Sequence, residues 1–363
     1  MIVLDCDPGL DDAIAILLLL ASREQDIAAI TTVAGNVELS RTQWNARAIV
    51  DLSPRKAKVY AGCPRPMVFD HVHAKHIHGE TGIPDTHFDT VECPLELEHA
   101  VDHLARLLEG AEERSVTLCF VGPLTNLGVL LVMRPELAIK VRRLVMMGGA
   151  IALGNTTPAA EYNIFADPHA AKVVFEADFP RVMLPLDTTS AVLVDEEISG
   201  RIEAHGNPAS RFAGRLMRRP VSSPRFKGKG RPMHDMCAVG YCLWPDLFKG
   251  RECEVRIDCS EGMSRGRTVI DYWGIRGNAN ALVIDEVEAE TFLSRVVERF
   301  AALAFDERRE TAWMSIWQGP KSSCPTGGRS SSANASFAAA TGSSPAADRE
   351  TSCNAAIVPR QNS

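Results

Sequence analysis

The sequence lacks the long apolar run that a membrane-spanning helix requires. Such a helix needs roughly 20 apolar residues, and the longest run here, residues 13–21, is much shorter. This run follows two aspartates rather than a basic segment, so it predicts a buried helix and not a signal peptide. The ten cysteines include no C-x-x-C pair and have no regular spacing. Together these features predict a reduced, cytoplasmic protein with no membrane partner.

The sequence also has fewer basic than acidic residues, and the formal net charge of the 363 residues is -7. A nucleic-acid-binding protein needs a basic face, so we expect no nucleic-acid partner. The phosphate-cradling motifs G-x-x-x-x-G-K-[ST] and G-x-G-x-x-G after a strand are missing as well. Their absence argues against the common nucleotide-binding and dinucleotide-binding enzymes.

What is present is a globular composition, with 45% hydrophobic and 23% charged residues. The first two thirds of the chain repeat a short apolar run, a turn and then a helical pattern. The predicted strands are 2–5, 28–33, 116–121, 144–147 and 182–186, and the predicted helices are 11–22, 40–52, 95–109, 124–133 and 168–177. This alternation predicts an α/β fold of Rossmann-like type, with a mostly parallel central sheet flanked by helices.

Polar and sulfur-containing residues gather where these predicted strands end. The residues at or just after the ends are Asp5, Asp7, Asn36, Thr125, Met147 and Asp187. Ligands of parallel sheets bind beyond the carboxyl ends of the strands. We therefore expect the active site at that edge.

Two stretches depart from this rhythm. Residues 201–231 carry nine lysines or arginines against one acidic residue, which predicts a solvated, partly flexible connection or a mobile flap beside the active site. After residue 317, Ser, Ala, Gly and Pro dominate, and such a segment cannot bury enough surface to offset its ordering entropy. We expect one domain over residues 1–310 and a disordered tail over residues 318–363.

Four aspartates crowd into residues 5–12, DCDPGLDD. The Pro-Gly pair predicts a tight turn, after which Asp11 and Asp12 begin a helix whose N-terminus favours negative charge. Capping leaves Asp5 and Asp7 unexplained, whereas a divalent cation with oxygen ligands accounts for all the charge, and calcium suits it better than zinc. A magnesium-dependent aspartyl phosphatase, which also places Asp-x-Asp after its first strand, is an alternative.

Further polar blocks follow this cluster in a fixed order. They are TTVAGN (31–36), HGETG (78–82), VGPLTN (121–126), MMGG (146–149), GN (154–155), EYNIFADP (161–168) and HD (234–235). Each block alone is weak, but in this order and after D-x-D-P-G-x-D-D the chain resembles the inosine–uridine-preferring nucleoside hydrolase family, from residue 1 to about residue 305. The resemblance implies calcium-dependent hydrolysis of the N-glycosidic bond of a small-molecule ribonucleoside, to ribose and a free base.

The resemblance also implies a role for each site residue, as follows. Asp7, Asp12 and Asp235 look like side-chain ligands of calcium and Thr125 like a backbone-carbonyl ligand; Asp11, Asn36 and Asn163 look like partners of the ribose 2′- and 3′-hydroxyls; Asn155 and Glu161 look like partners of the 5′-hydroxyl; Met147 packs by the sugar; His234 faces the base; and His78 lies near the pocket mouth. Asp5 is expected to support the others.

The implied chemistry agrees with these residue types. Cleavage of a ribosyl C1′–N bond passes through an oxocarbenium-like state, which oxygen ligands on the sugar hydroxyls stabilise. Asp7 would accept a proton from a calcium-bound water, a general-base contribution of roughly 10²–10⁴-fold. His234 is the candidate proton donor to the leaving base, since histidine titrates near neutral pH.

The base side of the site departs from the family pattern. Family members place aromatic or polar groups that contact the base where this chain has Phe212, Phe226 and a run of basic residues. Purine, pyrimidine or broad specificity therefore stay open, and so does a nucleoside- or ribose-binding protein with little turnover. The histidine-rich run 71–78 predicts a substrate-entrance loop rather than a separate zinc site, and the resemblance suggests a homodimer or homotetramer.

Overall fold

A ten-stranded sheet crosses the described part of the chain, which in this computed structural model comprises residues 1–84, 86, 88–221 and 223–304. The strands are β1 (Ile2–Cys6), β2 (Ile27–Thr32), β3 (Val59–Ala61), β4 (Leu95–Glu96), β5 (Val116–Phe120), β6 (Val141–Met147), β7 (Arg181–Leu184), β8 (Leu193–Val194), β9 (Arg231–Pro232), β10 (Phe248–Ile257), β11 (Thr268–Asp271) and β12 (Ala281–Val287). Their order in the large sheet is β11-β10-β12-β7-β6-β5-β1-β2-β3-β4, and β8 pairs with β9 separately.

Helices connect these strands and cover both faces of the sheet. They are α1 (Leu10–Ala21), α2 (Leu39–Asp51), α3 (Lys75–His78), α4 (Ala100–Glu109), α5 (Thr125–Met133), α6 (Tyr162–Ala166), α7 (Pro168–Glu176), α8 (Leu186–Thr189), α9 (Glu196–Glu203), α10 (Pro208–Met217), α11 (Asp235–Leu243) and α12 (Ala289–Phe300). Short 3₁₀ turns lie at Pro135–Lys140, Pro245–Leu247 and Ala301–Leu303. The mostly parallel α/β fold predicted from the sequence is confirmed.

Alternate residues of the buried strands face two separate cores. In β1, Ile2 and Leu4 pack in the core that contains α1 and α11, whereas Val3 packs in the core that contains α4 and α5. This period of two is what a strand covered on both faces requires. Helix α1 is buried almost all round, with only Asp11 partly exposed, so the apolar run 13–21 is a core helix as predicted.

The chain reverses its direction of winding at β1. Strands β2, β3 and β4 extend the sheet to one side of β1, and β5, β6 and β7 extend it to the other, with all these neighbours parallel. The crevice between the carboxyl ends of β1 and β5 is therefore a topological switch point, where open α/β sheets bind ligands.

Three details differ from the sequence-based expectations. Residues 95–96 form β4, so the helix predicted over 95–109 begins only at Ala100. The strand predicted over 182–186 ends at Leu184, because Pro185 is the N-cap of α8. The predicted strands also omitted the antiparallel pairs of β10 with β11 and β12.

The basic stretch 201–231 is only partly the solvated connection that its charge predicted. Helix α10 occupies residues 208–217, and Phe212 and Leu216 are buried in the core. The basic side chains of the helix lie on its outer face, with Arg215 exposed. The turns and irregular parts of this stretch are residues 204–207, 218–221 and 223–230.

The predicted tail, residues 318–363, lies outside the described residues, as does the end of the predicted domain after residue 304. Among the described helices, none combines the length and the apolar character needed to cross a membrane. The eight cysteines in the described part all carry free thiols, and seven of them are buried.

Candidate active site

A cavity of about 410 Å³ opens beyond the carboxyl ends of the parallel strands. A volume of this size is typical of small-molecule sites. Of the residues that the sequence singled out, those lining it are Asp11, Asn36, His78, Met147, Asn155, Glu161, Asn163, His234 and Asp235. Asp7, Asp12 and Thr125 lie next to it, fully buried. The predicted location of the site is thus where the structure has its cavity.

Asp7 lies at the bottom of this crevice, immediately after β1. One carboxylate oxygen, Oδ2, accepts the backbone N–H of Asn36 at 2.7 Å. A Cβ atom added at Gly35 or Gly122 would collide with the Asp7 carboxylate, so both glycines are needed for the backbone to approach it closely. The other oxygen, Oδ1, is buried and has no hydrogen-bond partner. Buried polar atoms are normally hydrogen-bonded, so the unpartnered Oδ1 is available to a ligand.

Asp12 orders the turn between β1 and α1. Its Oδ1 accepts the N–H of Asp7 and its Oδ2 accepts the N–H of Gly9, both at 3.0 Å. The amide of Asn36 also donates to Asp12 Oδ2 at 3.2 Å. Asp12 therefore caps the start of α1, as was considered from the sequence. Its carboxylate is also fully buried, and capping alone does not require a carboxylate to be buried.

Asp235, at the first position of α11, joins this group from the distant end of the domain. Carboxylate oxygens of Asp11, Asp12 and Asp235 lie within 4.8 Å of one another. Burial, followed by the charges of Asp11 and Asp12, raises the pKa of Asp235 well above its usual range. Burial and the charge of Asp11 raise the pKa of Asp12 to about 6. No lysine or arginine in the described residues forms an ion pair with the trio.

These aspartates have the chemistry of a site for a hard divalent cation. Burial and the Asp12 carboxylate also raise the pKa of Asp7 well above its usual range. Like charges packed without water repel one another unless a cation lies among them. Oxygen-only ligands favour calcium or magnesium over zinc. The orphaned Asp7 Oδ1 and the close trio are therefore the two observations that fit a bound cation.

Thr125 begins α5 on the other side of the crevice and is 1% exposed. Its hydroxyl donates to Asp167 Oδ2 at 2.8 Å, and the same oxygen accepts the N–H of Met67. Asp167 also caps α7 through the N–H of Ala170. The start of α5 is thereby fixed to a buried carboxylate.

Asp5 supports the floor of the cavity from behind. Its Oδ2 accepts the hydroxyl of Thr31 at 2.6 Å and the amide of Asn126 at 2.7 Å. Burial raises the pKa of Asp5 to about 7. Because these bonds link β1, β2 and the start of α5, Asp5 joins the strands whose ends form the crevice.

Asn163 and Asn36 both present their amide oxygens as the groups left for a ligand. The Asn163 amide nitrogen donates to the carbonyls of Val121 at 2.9 Å and Met147 at 3.1 Å. The Asn36 nitrogen donates to the Asp7 carbonyl and to Asp12. Because the amide nitrogens of both residues donate within the protein, only their amide oxygens remain available to a ligand. These oxygens can accept hydrogen bonds from sugar hydroxyls.

Glu161 caps α6 with both carboxylate oxygens. Oε1 accepts the N–H of Asn163 at 2.9 Å, and Oε2 accepts that of Gly149 at 2.8 Å. Burial raises the pKa of Glu161 to about 7, against these hydrogen bonds. Asn155 accepts the N–H of Tyr162 through Oδ1, so its amide NH₂ is the free group. One carboxyl and one amide thus lie at the end of the cavity opposite α11.

Two histidines close the cavity. His78 is buried in α3, a short helical turn at the end of the histidine-rich run, and its Nδ1 accepts the N–H of Leu10 at 3.0 Å. His234 lies at the N-cap of α11, with Nδ1 2.8 Å from the Thr189 hydroxyl. Burial lowers the pKa of both imidazoles.

We use two names for opposite parts of this cavity. The cavity floor consists of Asp7, Asp12, Asn36, Asn163 and Asp235, all buried. The outer wall consists of the cavity-lining residues Pro220, Val221, Ser223, Arg225, Phe226 and Arg231, which are exposed or half-buried. The Arg231 guanidinium donates to the carbonyls of Arg219 and Pro220, which holds one end of the outer wall.

Sequence reasoning missed several cavity residues, among them Tyr162 and His76, and also Thr189, which touches His234 from behind. The Tyr162 hydroxyl donates to the Val72 carbonyl at 2.8 Å and so fixes the histidine-rich segment. Thr189 could have been found, because it follows a predicted strand end as Asp187 does. Tyr162 lies within the block 161–168 that the sequence singled out, but no role was assigned to it there.

Comparison with known proteins agrees with this geometry. The family model described as inosine-uridine preferring nucleoside hydrolase matches residues 2–294. A pyrimidine-specific ribonucleoside hydrolase, RihB of Escherichia coli, is 38% identical over 300 residues, covering 82% of this chain and 96% of the relative. Among solved structures, a purine-preferring ribonucleoside hydrolase from Gardnerella vaginalis has a TM-score of 0.77 at 29% identity, covering 83% and 98% of the two chains. An inosine-guanosine nucleoside hydrolase has a TM-score of 0.75 at 26% identity, covering 84% and 99%.

Proposed function

The chain belongs to the inosine-uridine preferring nucleoside hydrolase family and is a ribonucleoside hydrolase, and from this premise we propose that it works with calcium and with Asp7 as the general base. The family match decides for hydrolysis over the binding-protein and phosphatase alternatives that the sequence left open. The observation that carries the proposal is the close trio of half-buried Asp11 with buried Asp12 and Asp235, beside the unpartnered Asp7 Oδ1.

The residues that would hold the cation are Asp7, Asp12 and Asp235, with the carbonyl of Thr125. When bound, calcium acidifies a water molecule and aligns it for attack. Asp11 lines the cavity, and its carboxylate lies within 4.8 Å of the carboxylates of Asp12 and Asp235. Asp11 can therefore accept a ribose hydroxyl on the same side as the cluster.

Asp7 accepts the proton of the attacking water in this proposal. The hydrogen bond from the Asn36 N–H to Oδ2 fixes the orientation of the carboxylate that receives this proton. General-base catalysis of this kind contributes roughly 10²–10⁴-fold.

The ribose is held by acceptors as positive charge develops on it. Asn36 and Asn163 can each accept a hydroxyl proton through the free amide oxygen. The amide NH₂ of Asn155 and the carboxyl of Glu161 can bind the 5′-hydroxyl at the other end. Oxygen ligands placed around the sugar ring stabilise the oxocarbenium-like state more than the neutral substrate.

On the base side, His234 interacts with the leaving base. It lines the cavity and approaches it from the N-cap of α11, next to Asp235. His78 lines the same cavity beside α1. Base preference is open in this proposal, because the relatives include both pyrimidine-specific and purine-preferring enzymes.

The test is a turnover panel on inosine, adenosine, uridine and cytidine, measured as released reducing sugar. Asp7→Asn keeps the size of the side chain and removes the base, so we expect kcat to fall by roughly 10²–10⁴-fold with an unchanged far-UV circular dichroism spectrum. A chelator should abolish wild-type turnover and calcium should restore it. Asp246→Asn, which changes an exposed aspartate paired with Arg295, is the matched control.

Retention of more than a tenth of the wild-type kcat by Asp7→Asn would contradict the role of Asp7. Full turnover in chelator would contradict the metal. Assembly into homodimers or homotetramers and a cytoplasmic location remain predictions, which sedimentation and cell fractionation can test.

A further inference from the structure

Three consecutive side chains in the turn after β7 form hydrogen bonds to three different parts of the chain. Asp187 accepts the backbone N–H of Ile151 at 2.6 Å and of Ala152 at 3.2 Å. The hydroxyl of Thr188 donates to the carbonyl of Ile284 in β12 at 2.5 Å. These two residues fix α8 to a cavity loop and to the sheet, so the third, Thr189, is held in a rigid position.

Thr189 is completely buried, and its hydroxyl oxygen lies 2.8 Å from Nδ1 of His234 and 3.2 Å from the carbonyl of Pro185. A hydroxyl group has a single proton to donate. The Thr189 hydroxyl either donates to His234 Nδ1 or accepts from Nδ1–H while donating to the Pro185 carbonyl, and in both arrangements Nδ1 is bonded to Thr189. The imidazole is thereby left with Nε2 as its second nitrogen.

The backbone of His234 is fixed independently of its ring. The N–H of Met233 donates to the Val192 carbonyl at 3.2 Å, and Pro232 in β9 pairs with Leu193 in β8. A ring whose backbone is fixed and whose Nδ1 is bonded inside the protein can offer only Nε2 to a ligand. Because His234 lines the cavity, Nε2 is the nitrogen that a nucleoside would meet.

We propose that Thr189 is a positioning residue, which holds the imidazole of His234 so that Nε2 addresses the base of the bound nucleoside. The inference rests on the proposed function in one respect, the action of His234 on the base side. The competing explanation is that the Thr189 hydroxyl is hydrogen-bonded only because it is buried in the turn, with no effect on His234. Thr42 in α2 is a buried threonine of that kind, since among the described residues its hydroxyl donates only to the carbonyl of Leu39, and it offers a matched control.

The experiment compares three variants of the full-length chain. Thr189→Val removes the hydroxyl at nearly constant shape, and we expect kcat to fall by roughly 10–100-fold, as is typical when the partner that orients a functional histidine is lost. KM should change by less than about threefold. Thr189→Ser restores the hydroxyl and should restore kcat. Thr42→Val, which also removes a buried hydroxyl but in α2 and outside the cavity lining, should leave kcat within about twofold of wild type.

A double-mutant cycle with His234→Ala decides whether Thr189 acts through the histidine. If it does, adding Thr189→Val to His234→Ala causes no further loss of kcat. If the two losses multiply, or if Thr189→Val alone leaves kcat unchanged, the proposal is overturned. The ¹⁵N shifts of the His234 ring give a second readout, since Thr189→Val should alter the balance between Nδ1–H and Nε2–H forms.

The same cycle separates this inference from the proposed function. A slow His234→Ala variant together with a fully active Thr189→Val variant overturns the role of Thr189 only. A fully active His234→Ala variant overturns the base-side role of His234, and the positioning role falls with it.

Discussion

The cavity floor and the outer wall face the same cavity but are built in opposite ways. Every residue of the floor is buried, and the floor takes its residues from the ends of strands and the starts of helices. The outer wall is an irregular segment with Pro220 and Arg225 exposed. Residues on rigid elements are placed more accurately than residues on loops. The difference indicates that the residues of the cavity floor carry out the reaction, whereas those of the outer wall determine the preference for one base over another.

The largest effect expected from this comparison is at Asn163. Asn163→Ala removes the amide oxygen that the floor offers to ribose, and we expect kcat/KM to fall by about 10²–10³-fold, as for a lost transition-state partner. The fall should be equal for inosine, uridine and cytidine, because the sugar is common to all three. Steady-state kinetics on the three substrates checks this, and a base-dependent loss would contradict the division of labour.

A pH effect of about 3 kcal/mol is expected at Glu161, from a pKa raised from 4.5 to about 7. The raised value means that the contribution of Glu161 to stability is complete below pH 4.5 and is lost as the pH rises through 7. Urea unfolding in chelator should show wild type losing stability relative to Glu161→Gln between pH 5 and pH 8. Equal slopes for the two proteins would rule this out.

Calcium should stabilise the floor against heat by a similar amount. At 100 times its dissociation constant, a ligand adds about 2.7 kcal/mol, which corresponds to a rise in Tm of roughly 4 °C for a domain of about 300 residues. Asp235→Asn should lose most of that rise, whereas Asp246→Asn on the surface should keep it. Scanning calorimetry with and without calcium measures both, and an unchanged shift in Asp235→Asn would remove Asp235 from the site.

The smallest effect is expected at the outer wall. Phe226 is half-buried, with the Arg225 guanidinium 5.2 Å from its ring centroid. Phe226→Ala removes part of an apolar surface, so we expect kcat/KM to change by about tenfold or less. The change should differ between inosine and uridine. An equal change for both would show that the wall does not discriminate between bases.

Much of the parallel sheet was predictable because its strands are short, apolar and buried on both faces. Predicted starts such as residue 2 for β1 and residue 116 for β5 are those observed. Strands β10 and β11 were missed because they pair antiparallel and carry exposed polar residues such as Arg251, which hide a core period.

Helix α10 was missed for a different reason. Its apolar residues at positions 209, 212, 213, 216 and 217 have helical spacing. The high count of basic residues drew attention to the solvent-facing side instead. The signal was therefore present in the sequence, and a test of periodicity rather than of composition would have found it.

By itself, the sequence determined the family and the four carboxylates at the first strand–helix turn, because that turn is local and its residues are consecutive. The resemblance already implied that Asp235 joins Asp7 and Asp12, but only the tertiary structure brings it within 4.8 Å of Asp11 and Asp12, since this requires α11 to pack against α1. It likewise decided that Thr189 meets His234, because the two lie on separate elements that touch only in the folded chain. Neighbours in sequence follow from backbone geometry, whereas neighbours in space follow from which apolar faces pack together.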